Sequence, residues 1–373
     1  MDTPESPMVI VGFFEVAGDL SVDELRSILE ERLLVHDRFS QRVDRSQSGR
    51  PFWEDDPTFD IANHVRPAET PQTVEAFSQL VADFSVAPLA PDRALWDCLV
   101  ISNYGAGTAL LVKLHHSIAD GIALLQILIT LADDVDPSDL QATRVPGTPR
   151  TLLGRVWKQI AGFARLLVAM VRLGLLPPDP RSALRGKLTG VKRTSWTEPI
   201  DLNRLLTAGR HLGATVNDIL LAAMSGAIRN LLARTNRGIT REIRAMVPFN
   251  LRPPEIGRPL GNKFGLVLPA LPVSEPNPLK RLQRVRERML QIKDRPEAAA
   301  AYTILQAVGA SANIVEKAII SFFGTKTSLV MTNVPGPDEK IELAGHQIDR
   351  IMFWVPQAAG LGLGVSCSAT QER

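Results

Sequence analysis

The spacing of apolar and polar positions changes several times along the chain, and each change marks an element. Residues 8 to 16, MVIVGFFEV, form a β-rich apolar run that predicts a strand. In the following GDLSVDELRSILEERLLVHDRF, apolar Val22, Leu25, Ile28, Leu29 and Leu33 recur at helical spacing behind Ser21 and Glu24. Those two form a capping box, so an amphipathic helix should start there. A second helix is predicted from Pro71 to Phe84. ALWDCLVISNYGAGTALLVKLHH reads as two β runs about a Gly-containing turn, and GIALLQILITLAD as a short buried helix. The Asp/Pro-rich DDVDPSDLQATRVPGTPR that comes next has linker chemistry.

The second half repeats the mixture. TVNDILLAAMSGAIRNLLART and most of residues 277 to 322 are helical in pattern, whereas EIRAMVPFNLR, KFGLVLPALPV, TSLVMTNVPGP and IDRIMFWVP are β-like. Strands and helices alternate without a βαβ rhythm, which predicts an α+β protein built on mixed sheets. A length of 373 residues suits two domains. The expected division is 1–140, a linker at 141–195, and 196–373. Within that linker, TLLGRVWKQIAGFARLLVAMVRLGLLPPDP reads as a basic amphipathic helix at 151–176. Its Arg155, Lys158, Arg165 and Arg172 project opposite Val156, Ile160, Phe163, Leu167 and Met170. Such a helix either packs its apolar face on the domains or docks on a membrane surface, and the two roles are compatible.

Composition narrows the classes. Charged residues are 22% of the chain, hydrophobic ones 45%, and the net charge is +2, the profile of an ordinary folded protein. No Lys/Arg-rich block interleaves with aromatics, so nucleic acid is set aside. Two cysteines, Cys98 and Cys367, lack CxxC spacing and suggest neither a disulfide framework nor a thiolate zinc site. With an acidic start and no basic leader, the expected location is a reducing cytoplasm. No uninterrupted apolar span of about 18 residues is present.

The chemistry concentrates at HHSIADG, residues 115 to 121. Neighbouring side chains on a strand face opposite ways, so one of His115 and His116 should face substrate and the other the scaffold. The other four histidines are scattered, which argues against a metal site. An imidazole near its own pKa is instead a natural general base for a hydroxyl. Asp120, a carboxylate at a helix start, reads as structural and suited to pairing with an arginine, while Gly121 eases the strand-to-helix turn. Cys98 in a β run reads as a buried structural thiol. No GxSxG elbow or GxxxxGK[ST] loop occurs, so hydrolase and nucleotide-binding readings fail.

HHSIADG resembles the HHxxxDG signature of the CoA-dependent acyltransferase superfamily, and the chain is most similar to its bacterial wax ester synthase/diacylglycerol acyltransferases. PLAPDRALWDCLV, TVNDILLAAMSGAIR, VPFNLRP, LGNKFGLVLPALPV (with Gly261 and Asn262) and TNVPGP (with Asn333, Pro335, Gly336 and Pro337) match further family segments in order. The resemblance implies two chloramphenicol-acetyltransferase-like α+β domains meeting at an active-site tunnel. It implies that His116 takes the proton of an alcohol or diacylglycerol, whose oxygen attacks acyl-CoA without a covalent enzyme intermediate or a cofactor. His115 would position, Asp120 organise the loop, and Asn217 and Asp218 support the site. Asn217 reads either as an oxyanion donor or as a helix N-cap. The implied partners are acyl-CoA, diacylglycerol or a long-chain alcohol, and a membrane or lipid-droplet surface.

Family members usually carry an extra stretch before MDTPESP and several tens of residues after GLGVS. The likeness is expected to fade after Ser366, leaving the second domain short and an edge strand unpaired. The competing expectations are a condensation-type amide-forming domain and a catalytically inactive acyltransferase fold that binds lipid.

Overall fold

The computed structural model describes residues 6–44, 51–133, 171–180, 182–186, 188–234, 242–250, 264–293, 324–336, 340–357 and 360–369, with Thr3, Val168, Thr303, Ser321 and Phe322. The first half contains β1 (Val9–Ala17), α1 (Val22–Ile28, prolonged by a π-helical turn at Leu29–Leu33), β2 (Gln41–Asp44), β3 (Phe52–Asp55) and β4 (Val65–Pro67). Then come α2 (Val74–Val86), β5 (Trp96–Tyr104), β6 (Gly107–His115) and α3 (Gly121–Leu131). The second half contains α4 (Leu202–Leu212), α5 (Val216–Arg234), β7 (Ile243–Asn250), β8 (Phe264–Val267), β9 (Ala270–Leu271) and α6 (Pro278–Lys293). It closes with β10 (Leu329–Pro335), β11 (Glu342–Leu343), β12 (His346–Trp354) and β13 (Gly364–Ala369). An α+β architecture on two mixed sheets is what the periodicity predicted.

Local chemistry explains most boundaries. Ser21 accepts from the Glu24 amide at 3.2 Å and starts α1, half of the expected capping box. The second helix begins later than Pro71 because Thr73 is its N-cap, accepting from Ala76 N at 3.1 Å. Between β5 and β6 the chain reverses at Gly105, with positive φ at Asn103 (54°) and Gly105 (60°). Gly107 then runs so close to β1 that an added Cβ would lie 2.0 Å from the Val16 carbonyl oxygen. The β-like run TSLVMTNVPGP forms β10 as far as Pro335, and Asn333 to Pro335 are each paired in parallel with β13. Proline is tolerated there because β7 pairs only with Leu329 and Val330, so no ladder donor is missed.

One sheet has the order β11-β12-β1-β6-β5-β4, and the other β13-β10-β7-β8 with β9 beside β7. The first is covered on both faces. Leu25, Leu29, Trp96, Leu110, Leu114 and Ile127 form the core under α1 and α3. Phe13, Phe77, Val81, Phe84 and Leu111 form the core under α2, with Phe13 and Phe77 edge to face at 5.1 Å. Cys98 is buried in the first of these cores, which pushes its thiol up to about 12, the behaviour of an inert structural cysteine. The second sheet packs Leu329, Met331 and Val247 against Leu221 and Ile228 of α5 and Leu282, Val285 and Met289 of α6.

A cut at residue 196 does not separate the two sheets. β12 pairs antiparallel with β1, with Phe14 opposite Ile351, so late sequence completes the early sheet. The β11–β12 turn places Ala344 (φ 55°) and Gly345 (φ 70°) in left-handed geometry, and Asp133 at the end of α3 holds it. Asp133 accepts from Ala344 N at 3.1 Å, Gly345 N at 2.6 Å and Arg32 Nη1 at 2.7 Å. A strap at 191–199 lies over α2, where Thr194 Oγ1 donates to Ser78 O at 2.7 Å and Trp196 stands edge-on to Phe77 and Trp354.

Of the expected basic helix at 151–176, only Val168 and residues 171–176 lie among the described residues, so its basic face is mostly outside them. Leu173 is buried, whereas Arg172, Val171 and Leu175 are exposed. Just beyond, Asp179 is buried beneath the second sheet and accepts from the Arg244 amide at 3.1 Å and from Ser328 Oγ. Burial pushes its carboxyl above the ordinary value against those donors. Gly261, Asn262 and Pro337, and positions 294–302 and 304–320 of the stretch expected to be helical, lie outside the described residues.

Candidate active site

β6 delivers the histidines. It lies between β1 and β5 at the centre of the first sheet and reads as a nearly continuous apolar run because both its faces are covered. Residues 109, 111, 113 and 115 share the α2 face. Lys113 on that face is 1% exposed, and its Nζ donates to Ala87 O at 3.1 Å, pairs with Asp97 at 3.5 Å, and lies 4.4 Å above the Phe84 ring. Burial lowers its ammonium below the ordinary lysine value, with the Asp97 carboxylate opposing. Lys113 thus fastens the end of α2 to the strand two residues before His115.

The ladder ends at the first histidine. His115 N still donates to Leu95 O at 2.9 Å and His116 N to Met8 O at 2.8 Å, but Ile118 N already turns back to His115 O at 3.0 Å. His116 is therefore freed from strict strand alternation, and the two rings take different surroundings. Ser117 N donates to His115 Nδ1 at 3.2 Å, with Ser117 Oγ at 2.6 Å from the same nitrogen. A ring nitrogen accepting a backbone N–H carries no proton, so neutral His115 holds its proton on Nε2. The His116 ring instead lies 5.8 Å from Phe264, tilted by 53°. Phe264 opens β8 of the second sheet, so the two halves meet at this imidazole.

Asp120 is 4% exposed and caps α3, its Oδ1 accepting from Ala123 N at 3.0 Å. The negative carboxylate there favours the positive helix end. Gly121 is the first residue of the helix. The HHxxxDG spacing therefore spans one strand end, one tight turn and one capped helix start.

On the other half, the α5 cap differs from one of the two sequence readings of Asn217. Thr215 precedes the helix, and its Oγ1 accepts from Asp218 N at 3.2 Å and donates to Asp218 Oδ2 at 2.7 Å. Asp218 Oδ2 also accepts from Thr215 N at 2.9 Å, completing a reciprocal cap. Asn217 is thus inside the first turn and is not the N-cap, because the Thr/Asp pair satisfies the orphan amides first. Asp218 is 4% exposed, and its Oδ1 has no hydrogen-bond partner among the described residues, as is also true of Asn333 Oδ1 on β10. Such orphaned buried acceptors mark unfilled polar capacity in this half.

Phe264 was not singled out by sequence reading, since it is one apolar residue in a β-like run and its partner lies 148 positions earlier. Lys113 carried a weak local signal, a charge inside an apolar strand.

Residues 8–220 match the wax ester synthase/diacylglycerol acyltransferase catalytic domain, and residues 260–372 match the WS/DGAT C-terminal domain. The second match runs past Ser366 and corrects the expectation that likeness ends there. The chain is 29% identical over 362 residues to the probable diacylglycerol O-acyltransferase tgs1 of Mycobacterium tuberculosis, covering 86% of this chain and 75% of that protein. Its fold is similar to the wax ester synthase/diacylglycerol acyltransferase of Marinobacter aquaeolei VT8, with a TM-score of 0.71, 20% identity, and coverage of 100% and 88%. It is also similar to the starter condensation domain of rhizomide synthetase RzmA, solved as a mutant with C8-CoA and Leu-SNAC, with a TM-score of 0.59 at 13% identity and coverage of 98% and 81%.

Proposed function

The chain belongs to the wax ester synthase/diacylglycerol acyltransferase family, and from that premise we propose that it transfers a fatty acyl group from acyl-CoA to diacylglycerol or a long-chain alcohol, with His116 as general base. The observation that carries this reading is the placement of His116. It sits where β6 gives way to the Asp120-capped helix, with its ring against Phe264 of the other sheet.

In the proposed step, a His116 ring nitrogen takes the proton of the acceptor hydroxyl as its oxygen attacks the thioester carbonyl. The tetrahedral intermediate collapses with loss of the CoA thiolate, which receives the proton from the imidazolium. The ester forms, CoA–SH leaves, and no atom of the enzyme is acylated. A base so placed contributes about 10²- to 10⁴-fold. His115, held by Ser117, keeps the turn in register, and Asp120 fixes the start of α3. Asn217 and Asp218, at the start of α5, support the opposite wall, with Asn217 as candidate donor to the developing oxyanion.

The same fold holds C8-CoA in the rhizomide synthetase domain, which supports an acyl-CoA donor here. Peripheral action at a cytoplasmic membrane face or lipid droplet suits the water-insoluble acceptors. No helix among the described residues is long and apolar enough to cross a membrane.

The test is to incubate purified protein with labelled palmitoyl-CoA and, separately, diacylglycerol or hexadecanol, and to resolve products by thin-layer chromatography. Ester that falls at least about 10²-fold in His116→Ala supports the reading. Acyl-CoA binding without ester from the folded parent would replace it with an inactive lipid-binding fold, and product from an amine acceptor alone would favour condensation-type chemistry.

A further inference from the structure

One turn of the first half holds a cation that nothing in the chain balances. Arg38 lies in the short turn Asp37–Phe39 before β2 and is half-buried. Its guanidinium carbon is 4.4 Å from the centre of the Trp53 ring on β3, so one face of the guanidinium plane is stacked. Its side chain makes no hydrogen bond or ion pair among the described residues, and Nη1 is enclosed without a partner. Among the described arginines, Arg38 alone has an enclosed and unpartnered nitrogen. Burial opposes its charge, and the adjacent Asp37 favours it only through space. His36, in the same turn, has its Nε2 enclosed without a partner as well.

The acids of the neighbouring hairpin are engaged elsewhere. Glu54, next to Trp53, pairs with Arg42 at 2.7 Å, and Asp55 accepts from Gln41 Nε2 at 2.9 Å. Asp56 accepts from Thr58 N at 2.9 Å and from Thr58 Oγ1 at 2.8 Å. A desolvated guanidinium needs an anion, and the open edge of a stacked one matches two oxygens of a phosphate. The turn also lies at the histidine end of the first sheet. Phe39 O accepts from Trp96 Nε1 at 2.8 Å, and the two rings stand edge to face at 6.0 Å. Trp96 opens β5 directly opposite Leu114, which precedes His115, so the turn is anchored one strand away from the histidines. A second cation flanks the same tryptophan. Arg93, just upstream of it, donates to Asn63 O at 3.1 Å and has no acidic partner among the described residues.

We propose that Arg38, held flat on Trp53 and assisted by Arg93, binds the phosphates at the nucleotide end of acyl-CoA. Of the reactants in the proposed transfer only acyl-CoA carries phosphate, since long-chain alcohols and diacylglycerol are uncharged. Its pantetheine arm separates the nucleotide from the thioester. A phosphate site therefore belongs at the histidine end of the sheet but set apart from His116, as this turn is. Trp53 keeps the guanidinium in one orientation, so its free edge meets the phosphate with little ordering left to do. The inference deepens the acyl-CoA reading and rests on it.

The test compares the purified full chain with Arg38→Gln, which removes the charge, and Arg38→Lys, which keeps the charge but loses the two-pronged edge. Isothermal titration with CoA, adenosine bisphosphate and inorganic phosphate reads the site without turnover. CoA and adenosine bisphosphate should bind the parent and bind Arg38→Gln at least about tenfold more weakly, with Arg38→Lys between the two. In esterification assays, the ratio of kcat/KM for palmitoyl-CoA to that for palmitoyl-pantetheine, which lacks the nucleotide, should fall at least about tenfold in Arg38→Gln. Arg93→Gln should lower the same ratio less, and it carries the test if Arg38→Gln fails to fold. A ratio that stays at the parent value in both variants overturns the proposal, because equal loss on both donors marks structural damage alone. CoA affinity equal in parent and Arg38→Gln overturns it too, as does inorganic phosphate binding as tightly as CoA, which would make this a free-phosphate site. Arg38-dependent CoA binding by a parent that forms no ester refutes acyl transfer and keeps the site. Ester formed from the two donors at equal kcat/KM by the parent refutes the site and leaves acyl transfer standing.

Discussion

Removing the Asp133 carboxylate should loosen the β11–β12 hairpin, which joins late sequence to the histidine-bearing sheet. In Asp133→Ala three hydrogen bonds disappear, from Ala344 N at 3.1 Å, Gly345 N at 2.6 Å and Arg32 Nη1 at 2.7 Å. The bond from Asp133 N to Glu342 O, at 3.0 Å, is unaffected. Asp133 and Arg32 retain 22% and 25% side-chain exposure, so solvent screening brings each lost bond below the charge-assisted range to that of an ordinary hydrogen bond, about 1 kcal/mol. The sum is about 3 kcal/mol, or on the order of 10²-fold in the local opening equilibrium. Amide hydrogen exchange reads this directly, because Ala344 and Gly345 N–H are the donors. Both should exchange on the order of 10²-fold faster, with β12 amides following. Asp133→Asn, which keeps one acceptor, should show a smaller effect. Exchange at the parent rate in Asp133→Ala would refute the reasoning, as would strict additivity of Asp133→Ala and Arg32→Ala in a double-mutant cycle. The lock should hold at neutral pH. Burial pushes the Asp133 carboxyl up, but Gly345 N–H, Arg32 and Ala344 N–H outweigh it and leave it below the ordinary value. Its contribution is therefore complete above about pH 4 and is lost as pH falls through the depressed native value.

Other positions give separate tests. The His64 ring is stacked between Phe59 and Trp96 with Nδ1 2.8 Å from Trp96 O, and burial holds its pKa below the ordinary histidine value. The unfolded chain therefore binds the extra proton, so stability is full above about pH 6.5 and falls as pH drops toward the native value. His64→Phe should flatten that slope in pH-resolved urea melts, and an unchanged slope would exclude His64 as its source. Asp120→Ala should cost about 1 kcal/mol through loss of the α3 cap, while Asp120→Asn keeps the cap. Esterification that survives in Asn but not in Ala would show the cap to be what matters, and equal loss in both would point to the charge. Gly107→Ala puts a methyl 2.0 Å from the Val16 carbonyl oxygen, backbone against backbone, so soluble protein should fall sharply or melt well below the parent. A melting temperature equal to the parent's would mean that the β1–β6 contact is looser than its geometry.

What the sequence by itself determined lies within short windows. The β5–β6 hairpin, the Ser21 cap, the strand-to-helix passage at HHSIADG and the helix from Val216 are each specified by residues a few positions apart. Turn glycines, caps and apolar period act over that range. Even there a competing cap misled one reading, since Thr215 and Asp218 leave no capping role for Asn217. Tertiary structure alone decided that β12 joins β1, that Asp133 holds a turn 211 residues later, and that Phe264 meets His116. These pairings leave no local trace, because neither partner's spacing or propensity changes when the other is found. They are settled only when both sheets bury their apolar faces together, and the loop-closure entropy of such distant contacts is repaid by the whole packed core.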